Sequence, residues 1–365
     1  MDEFVFPVHA IKGRGAATRI AHRFERDIRR AFDDGWSHAD GPGEDRERLA
    51  ALPATEIIDE LAKSAISRNT SPDIPFDRSV NPYRGCEHGC VYCFARPTHS
   101  LLNLSPGLDF ETKIIAKRNI AEVLRSELGK AGYQPRELAL GVVTDCYQPI
   151  ERELRLTRSL LELLCETRHP FALITKSSGI ERDLDLIAPM AAERRAAACI
   201  TITTLDAQIA RTLEPRAAAP HRRLRTIRAL ADAGVPVGVS VAPQIPFVTD
   251  DMEQVLAAAR DSGASRAFYT VLRLPWEVAP LFRQWLQLHL PERAERVMAR
   301  VREMRGGADY DSDFSARMRG SGPWAELIRQ RFETACRRLG FKNDRIGLDA
   351  SAFRPPGTTG QGELF

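Results

Sequence analysis

Short apolar segments alternate with longer amphipathic segments from residue 78 onward. The short segments are rich in β-branched residues and predict buried strands, whereas the longer ones repeat apolar residues every three or four positions and predict helices. The strand candidates are RSVNPY at 78–83 and residues 137–145, 171–176, 198–205, 236–243 and 266–274. The helix candidates between them are ELRLTRSLLELLCETR, RDLDLIAPMAAERR, LRTIRALADAG and DMEQVLAAARDSG.

Six strands with intervening helices predict an α/β fold, a partial (β/α)6 TIM-type barrel with its chemistry at the carboxyl ends of the strands. A doubly wound open sheet gives the same alternation, so both architectures stay open on this pattern. Around the core domain, residues 73–280, we expect an N-terminal extension over 1–72, a C-terminal helical region over 281–350 and a flexible tail over 351–365. Within the extension, ATEIIDELAKSAI at 54–66 predicts a helix.

Charge and hydropathy narrow the functional classes only a little. The 52 basic and 49 acidic side chains leave a net charge of +3, which neither requires nor excludes a polyanionic partner. No apolar run approaches the ~20 residues of a membrane helix, and the start, MDEFVFPVHAIKGRG, lacks the apolar core of a secretory signal. We therefore expect a cytoplasmic protein without a membrane partner.

The cysteines point to a metal centre. Seven of them, an odd number, favour reduced thiols over a disulfide framework. Cys86, Cys90 and Cys93 lie within eight positions of a polar, Gly-rich loop. A disulfide uses two thiols and a tetrahedral zinc site four ligands, so three thiols suggest a centre that something else completes. A [4Fe–4S] cluster offers four irons, and three thiolates leave one of them to a small molecule.

Two alternatives stay open for this loop. The three thiols together with His88 or His99 would make a Cys3His zinc site, or they would be buried without metal. The other thiols give no spacing that suggests ligation, and for three of them simple packing is the expectation: Cys165, Cys199 and Cys336.

The C-x3-C-x2-C spacing resembles the signature of radical S-adenosylmethionine (SAM) enzymes. The resemblance implies that Cys86, Cys90 and Cys93 hold a [4Fe–4S] cluster and that SAM chelates the remaining iron. It also implies that Tyr92, the aromatic residue before the third cysteine, lies beside the adenine. The implied activity is reductive cleavage of SAM to a 5′-deoxyadenosyl radical, with a flavodoxin- or ferredoxin-type electron donor as partner.

Residues at the ends of later strands are candidates for holding that cofactor. Lys176, which ends FALITK, is a candidate carboxylate ligand, although an ordinary solvated lysine is the alternative. Thr203 in ITITTLD supplies a hydroxyl. Asp145 in TDCYQPIE is a candidate for the amino group, although it could equally cap a turn, with Glu151 in the first turn of the next helix.

Several sequences over about 75–280 resemble the spore-photoproduct-lyase-like, DNA repair photolyase-related branch: NPYRGCEHGCVYC, TDCYQPIE, LITKS, LEPR and VAPQIP. In that branch a lysine and a hydroxyl meet the cofactor carboxylate, which matches Lys176 and Thr203. The hydrogen-donating cysteine of the lyase matches Val142 and Val143 here, so Cys146 is only a substitute candidate. A second tyrosine past the cysteines is replaced by Phe94. The resemblance therefore does not extend to the thymine-dimer substrate.

Two segments suggest macromolecular partners. Residues 211–228 contain six arginines and one glutamate, which predicts either contact with DNA or RNA or a solvated helix face. The tail resembles the bacterial sliding-clamp-binding peptide through Gln361, Leu364 and Phe365, although Gly362 stands where leucine is common.

These features support two hypotheses about function. The first is a radical SAM enzyme, a lyase or related enzyme that repairs or modifies nucleic acid. The second is a non-catalytic module in which zinc or an iron–sulfur centre stabilises the loop and the tail recruits the chain to a replication or repair complex.

Overall fold

A computed structural model describes residues 8–25 and 54–357 of the chain, apart from 343 and 345. Residues 1–7 and 26–53 of the N-terminal extension and the end of the tail, with Gln361, Leu364 and Phe365, lie outside the described residues. No helix in the described ranges is long and apolar enough to cross a membrane.

Ten strands are defined within these residues. They are β1 (Glu56–Glu60), β2 (Ile66–Arg68), β3 (Arg78–Val80), β4 (Tyr83–Arg84), β5 (Lys113–Lys117), β6 (Leu138–Leu140), β7 (Phe171–Thr175), β8 (Ala196–Thr201), β9 (Val237–Ser240) and β10 (Arg266–Phe268).

The helices mostly follow the strands of the predicted βα units. They are α1 (Asp109–Thr112), α2 (Ile120–Leu128), α3 (Glu151–Leu154), α4 (Leu156–Glu166), α5 (Leu184–Ala192), α6 (Ala207–Leu213), α7 (Pro220–Asp232), α8 (Met252–Asp261), α9 (Val278–His289), α10 (Ala294–Glu303) and α11 (Gly322–Leu339). Short 3-10 helices cover Arg96–Leu102, Ser178–Asp183 and Pro291–Arg293. The four helix candidates of the core are confirmed as α4, α5, α7 and α8.

The larger sheet has seven strands in the order β10-β9-β8-β7-β6-β3-β2. Strands β3 and β6 to β10 are parallel, and β2 pairs antiparallel with β3. Each parallel strand is added on the same side as the one before it, whereas a doubly wound sheet reverses this order at a switch point. The predicted partial (β/α)6 barrel is therefore confirmed. Strand β8 is buried along its whole length, as expected for a parallel strand covered on both faces.

A second sheet of three strands, in the order β1-β5-β4, corrects one prediction. The helix predicted over 54–66 is wrong, because residues 56–60 form β1 and pair in parallel with β5. In this register Ile57 lies opposite Ile114, and Ile58 lies opposite Ile115. Adjacent β-branched side chains fit a pleated surface, and the partner strand lies too far along the chain for local periodicity to reveal it.

One continuous hydrophobic core joins the larger sheet to its helices. It includes Leu173 of β7, Leu160 of α4, Leu230 of α7 and Ile328 of α11. Each large aliphatic side chain that is fully buried contributes roughly 1.5–3 kcal/mol to the hydrophobic stabilisation. Because α11 shares this core and packs against α8, the C-terminal helix is part of the same packed body as the barrel.

The strand order places the candidate residues at one edge of the sheet. A loop that follows β3 and β4 carries the three clustered cysteines, Lys176 directly follows β7, and Thr203 follows β8. Since these barrel strands are parallel, their carboxyl ends meet at the same edge, where barrel enzymes place their sites.

Candidate functional site at the cysteine loop

Main-chain hydrogen bonds fold the cysteine loop, residues 85–95, into successive tight turns. The amide of Cys86 donates to the carbonyl of Phe110 at 2.9 Å, and the amide of Cys93 donates to the carbonyl of Cys90 at 3.2 Å. Gly85 and Gly89 have φ angles of 79° and 68°, a region that favours glycine. A Cβ on Gly85 would lie 2.9 Å from the His99 ring, so only glycine fits at position 85.

The three clustered thiols are free and close enough to interact electrostatically. Cys86 and Cys90 are 7% and 8% exposed, and Cys93 is more open to solvent. Burial, and to a smaller extent Asp145 and the other two thiols, raises the pKa of Cys86 well above its ordinary value. Burial likewise raises the pKa of Cys90 to about 12, against the opposing effect of the Lys176 charge. The buried pair therefore needs a cationic centre to become thiolate.

The residues fit an iron–sulfur cluster better than a single zinc ion. No group of three or more His, Cys, Asp or Glu residues within the described ranges is arranged to hold one metal ion. His88 Nδ1 lies 3.2 Å from Asp145 Oδ2, and His99 Nε2 lies 3.0 Å from the Lys113 carbonyl oxygen. Each histidine that would complete a zinc site thus has one ring nitrogen in another interaction. A cluster binds each thiolate at a different iron, so its ligands need not converge on one point.

Tyr92 and Thr203 are joined by one buried carboxylate, that of Glu214. The Tyr92 hydroxyl donates to Glu214 Oε1, and Thr203 Oγ1 donates to the same oxygen at 2.6 Å. The other oxygen accepts from Arg223 Nη2 at 2.5 Å. Burial alone would raise the pKa of Glu214, but Arg223, Lys176 and the two hydroxyl donors lower it to about 2. Glu214 is therefore ionised at neutral pH and fixes both hydroxyl groups.

Lys176 contributes a positive charge that has no direct partner among the described residues. Its Nζ lies 5.8 Å from the centroid of the Tyr92 ring. The ammonium group makes no hydrogen bond or ion pair with any residue that the structure describes. Burial alone would lower the pKa of Lys176, but the nearby Cys90 and Glu214 raise it. A protonated ammonium without a protein partner is suited to bind an anionic group of a ligand.

Asp145 links the cysteine loop to the end of β7. Its Oδ1 accepts from Thr175 Oγ1 at 2.7 Å and from the Tyr147 amide at 2.9 Å. Its Oδ2 accepts from the Lys176 amide at 2.8 Å and contacts His88. Burial alone would raise the pKa of Asp145, but His88 and the hydrogen bonds lower it to about 2. The bond to Tyr147 corresponds to the turn-capping alternative, and a role toward the cofactor amino group stays a prediction.

Cys146 does not share the environment of the clustered thiols. Its side chain is fully buried in the main hydrophobic core, where burial raises its pKa well above the ordinary value. By contrast, Val143 packs against the small buried cluster that contains Cys86 and Phe110. A valine of this segment thus packs near Cys86, and hydrogen donation by Cys146 stays a prediction.

Sequence patterns do not reveal three buried charged residues that organise this site. Arg96 and Glu111 form an ion pair at 2.5 Å beside the cysteine loop. Glu214 accepts hydrogen bonds from Tyr92 and Thr203. Charged residues normally indicate a solvated surface, and only the fold shows that these are buried and paired. The LEPR sequence around Glu214 carries no periodicity that would signal its burial.

Comparisons with known proteins address the family and the fold of the chain. The family model described as the radical SAM superfamily matches residues 80–259. An uncharacterized protein of Mycobacterium tuberculosis is 35% identical over 248 residues, which cover 67% of this chain and 72% of the relative. An uncharacterized protein of Methanocaldococcus jannaschii is 24% identical over 242 residues, covering 66% of this chain and 86% of the relative.

The solved structures show a likeness of fold. Spore photoproduct lyase complexed with dinucleoside spore photoproduct superposes with a TM-score of 0.50 over 78% of each chain, at 15% sequence identity. On the family match, the relatives, the barrel and the cysteine loop together, this chain belongs to the radical SAM superfamily.

Proposed function

We propose that this chain is a radical SAM enzyme in which Cys86, Cys90 and Cys93 hold a [4Fe–4S] cluster and SAM occupies the remaining iron. The observation that carries the proposal is the presence of three free thiols together with the Lys176 ammonium, which lies near Cys90 and has no partner among the described residues. Three thiols supply one ligand fewer than the cluster has irons, and the ammonium supplies a counter-charge for the carboxylate of SAM.

When bound, the cluster supplies one electron that cleaves SAM to methionine and a 5′-deoxyadenosyl radical. The chain positions the reactants. Lys176 binds the SAM carboxylate, while Glu214 fixes the Tyr92 ring and the Thr203 hydroxyl on the same side of the loop. Val143 adds an apolar surface beside Cys86.

Anaerobic reconstitution of the full-length chain with iron and sulfide tests this proposal. We expect a brown protein with about four irons per chain that forms 5′-deoxyadenosine from SAM under dithionite. Cys90→Ser should lose both properties because it removes a cluster ligand. Cys165→Ser is the matched control, because that thiol is partly buried on α4, outside the loop. A colourless protein with one zinc would instead support the non-catalytic, metal-stabilised module.

We extend the proposal to a nucleic acid substrate, on the basis of an exposed aromatic residue beside the cysteines. Phe94 directly follows Cys93 and is 43% exposed, and the Arg273 guanidinium carbon lies 5.0 Å from the centroid of its ring. An exposed ring beside a guanidinium offers a stacking face for a base and a positive charge for phosphate.

Binding of a fluorescent single-stranded oligonucleotide tests this extension by anisotropy. Phe94→Ala should weaken binding roughly 5- to 150-fold, because stacking on an aromatic ring contributes ~1–3 kcal/mol per base. Leu327→Ala removes a similarly exposed apolar side chain from α11 and should leave the affinity unchanged. Equal affinities of the wild type and Phe94→Ala would argue against nucleic acid stacking at this site.

A further inference from the structure

The N-terminal residues 14–20, which we call the strap, pack against the cysteine loop from outside the matched family domain. The Leu108 amide donates to the Thr18 carbonyl at 3.1 Å, and Ser105 Oγ donates to the Ile20 carbonyl at 2.8 Å. Thr18 Oγ1 also donates to Gln284 of α9 at 3.0 Å. The strap therefore bridges the segment that follows the cysteines and a helix beyond the barrel strands.

The Arg96 side chain binds main-chain carbonyl groups of the cysteine loop. It is fully buried, and its five N–H groups all find acceptors. Nε donates to the Cys90 carbonyl at 2.9 Å, and Nη2 donates to the Gly89 carbonyl at 3.1 Å. The position of the Gly89–Cys90 main chain thus depends on where this guanidinium is held.

Glu111 connects Arg96 to the strap. Its Oε1 accepts from Arg96 Nη2 at 2.5 Å and from the Ala16 amide at 2.8 Å, and its Oε2 accepts from the Gly15 amide at 3.0 Å. Glu111 is fully buried, so Arg96 supplies the counter-charge and the two strap amides complete the hydrogen bonding of a carboxylate that has no access to water.

Gly15 allows the strap to approach the loop closely. A Cβ at this position would lie 1.8 Å from the Gly89 carbonyl oxygen and 3.2 Å from the Val91 amide nitrogen. No non-glycine residue fits there without moving the strap or the loop. Ala16, the next residue, belongs to the same buried apolar cluster as Cys90.

We propose that the strap, held by Glu111 and Arg96, is a positioning element for the ligand Cys90. It fixes the Gly89–Cys90 main chain and excludes water from it, so that the Cys90 thiolate stays on the cluster. This inference rests on the proposed function. It assigns a role in the iron–sulfur site to residues outside the family domain.

Two variants and one matched control test the strap. Gly15→Ala inserts the excluded Cβ, and Glu111→Gln removes the charge opposite Arg96 while keeping the side-chain shape. Gly13→Asn is the control, because a Cβ at Gly13 meets no atom within 4 Å and asparagine tolerates its positive φ of 74°.

The first measurement is the rate at which a chelator removes iron from the reconstituted chain, followed by visible absorbance. We expect both test variants to lose iron at least about tenfold faster than the wild type, as for other residues that orient metal ligands. Gly13→Asn should match the wild type. Equal rates for all four proteins would overturn the inference and leave the proposed function intact, whereas a wild type that takes up no iron would overturn both.

The second measurement is local and needs no iron. Alkylation of Cys90 in the apoprotein, followed by mass spectrometry, should accelerate in both test variants. Alkylation of Cys336, which is buried on α11, should not change. Parallel acceleration at both thiols would indicate general unfolding and contradict a specific positioning role.

Discussion

Lys176 is the residue whose charge most directly indicates a ligand. A partly buried ammonium normally has a carboxylate partner, yet this one faces the ring of Tyr92 and has no ion pair within the described ranges. The surrounding anions keep it protonated. Its interaction with the SAM carboxylate would be a charge-assisted hydrogen bond.

Replacement of Lys176 by methionine should weaken SAM binding roughly 10- to 150-fold. The estimate follows from the ~1.5–3 kcal/mol of a hydrogen bond to a charged group, since 1.4 kcal/mol corresponds to about a factor of ten. Equilibrium dialysis with labelled SAM on the reconstituted chain measures the dissociation constant. Lys63→Met, at an exposed position, is the control. An unchanged affinity for Lys176→Met would show that another group binds the carboxylate.

At the residue scale, the sequence predicted which side chains lie at the strand ends of the site. It did not predict the buried charged residues that bind those side chains. Lys176 and Thr203 follow apolar strands, so period-two patterns and parallel geometry place them at the same edge. Glu214 lies in the sequence among arginines that suggest a solvated face. Its ion pair with Arg223 and its bonds to Tyr92 and Thr203 depend on the tertiary fold.

At the element scale, the connection between α4 and β7 contains a buried histidine. His169 is 0% exposed, and its Nε2 lies 2.9 Å from the Tyr133 hydroxyl while Nδ1 lies 3.0 Å from the Pro170 carbonyl oxygen. The ring of Phe353 packs edge-on against it. Burial lowers the pKa of His169 to about 4, so the ring is neutral in the folded chain at pH 7.

Acidification should destabilise this connection. The folded pKa lies below the unfolded value of about 6.5, so the unfolded chain binds the proton first as the pH falls. Between pH 6.5 and 4 the wild type should lose on the order of 3 kcal/mol of unfolding free energy through His169. Urea denaturation of the wild type and His169→Gln across this window measures the difference. If the unfolding free energies of the wild type and His169→Gln fell by the same amount across this window, the lowered pKa of His169 would be contradicted.

Elements with internal periodicity were predicted well, and elements that depend on a distant partner were not. The six barrel strands and the helices α4, α5, α7 and α8 carry their own patterns. Residues 56–60 lack alternation and contain helix-compatible Glu and Asp, yet they pair with β5 more than fifty residues later. Such pairing overrides local propensity.

At the scale of the whole molecule, the site draws on more of the chain than the matched domain. The family match covers residues 80–259, whereas the strap donates hydrogen bonds to Glu111 and packs against Cys90 of the cysteine loop. Helix α11 shares the core of the barrel. Composition alone gave little indication of this arrangement, because a net charge of +3 and scattered cysteines fit many folds. The spacing of Cys86, Cys90 and Cys93 carried the family assignment.

The central claim is that three thiolates leave one iron of a cluster open to SAM. The most direct test is the electron paramagnetic resonance spectrum of the dithionite-reduced, anaerobically reconstituted chain, recorded before and after SAM is added. We predict a [4Fe–4S]+ signal whose g values change when SAM binds. A chain without such a signal, or with a signal that SAM leaves unchanged, would contradict the claim.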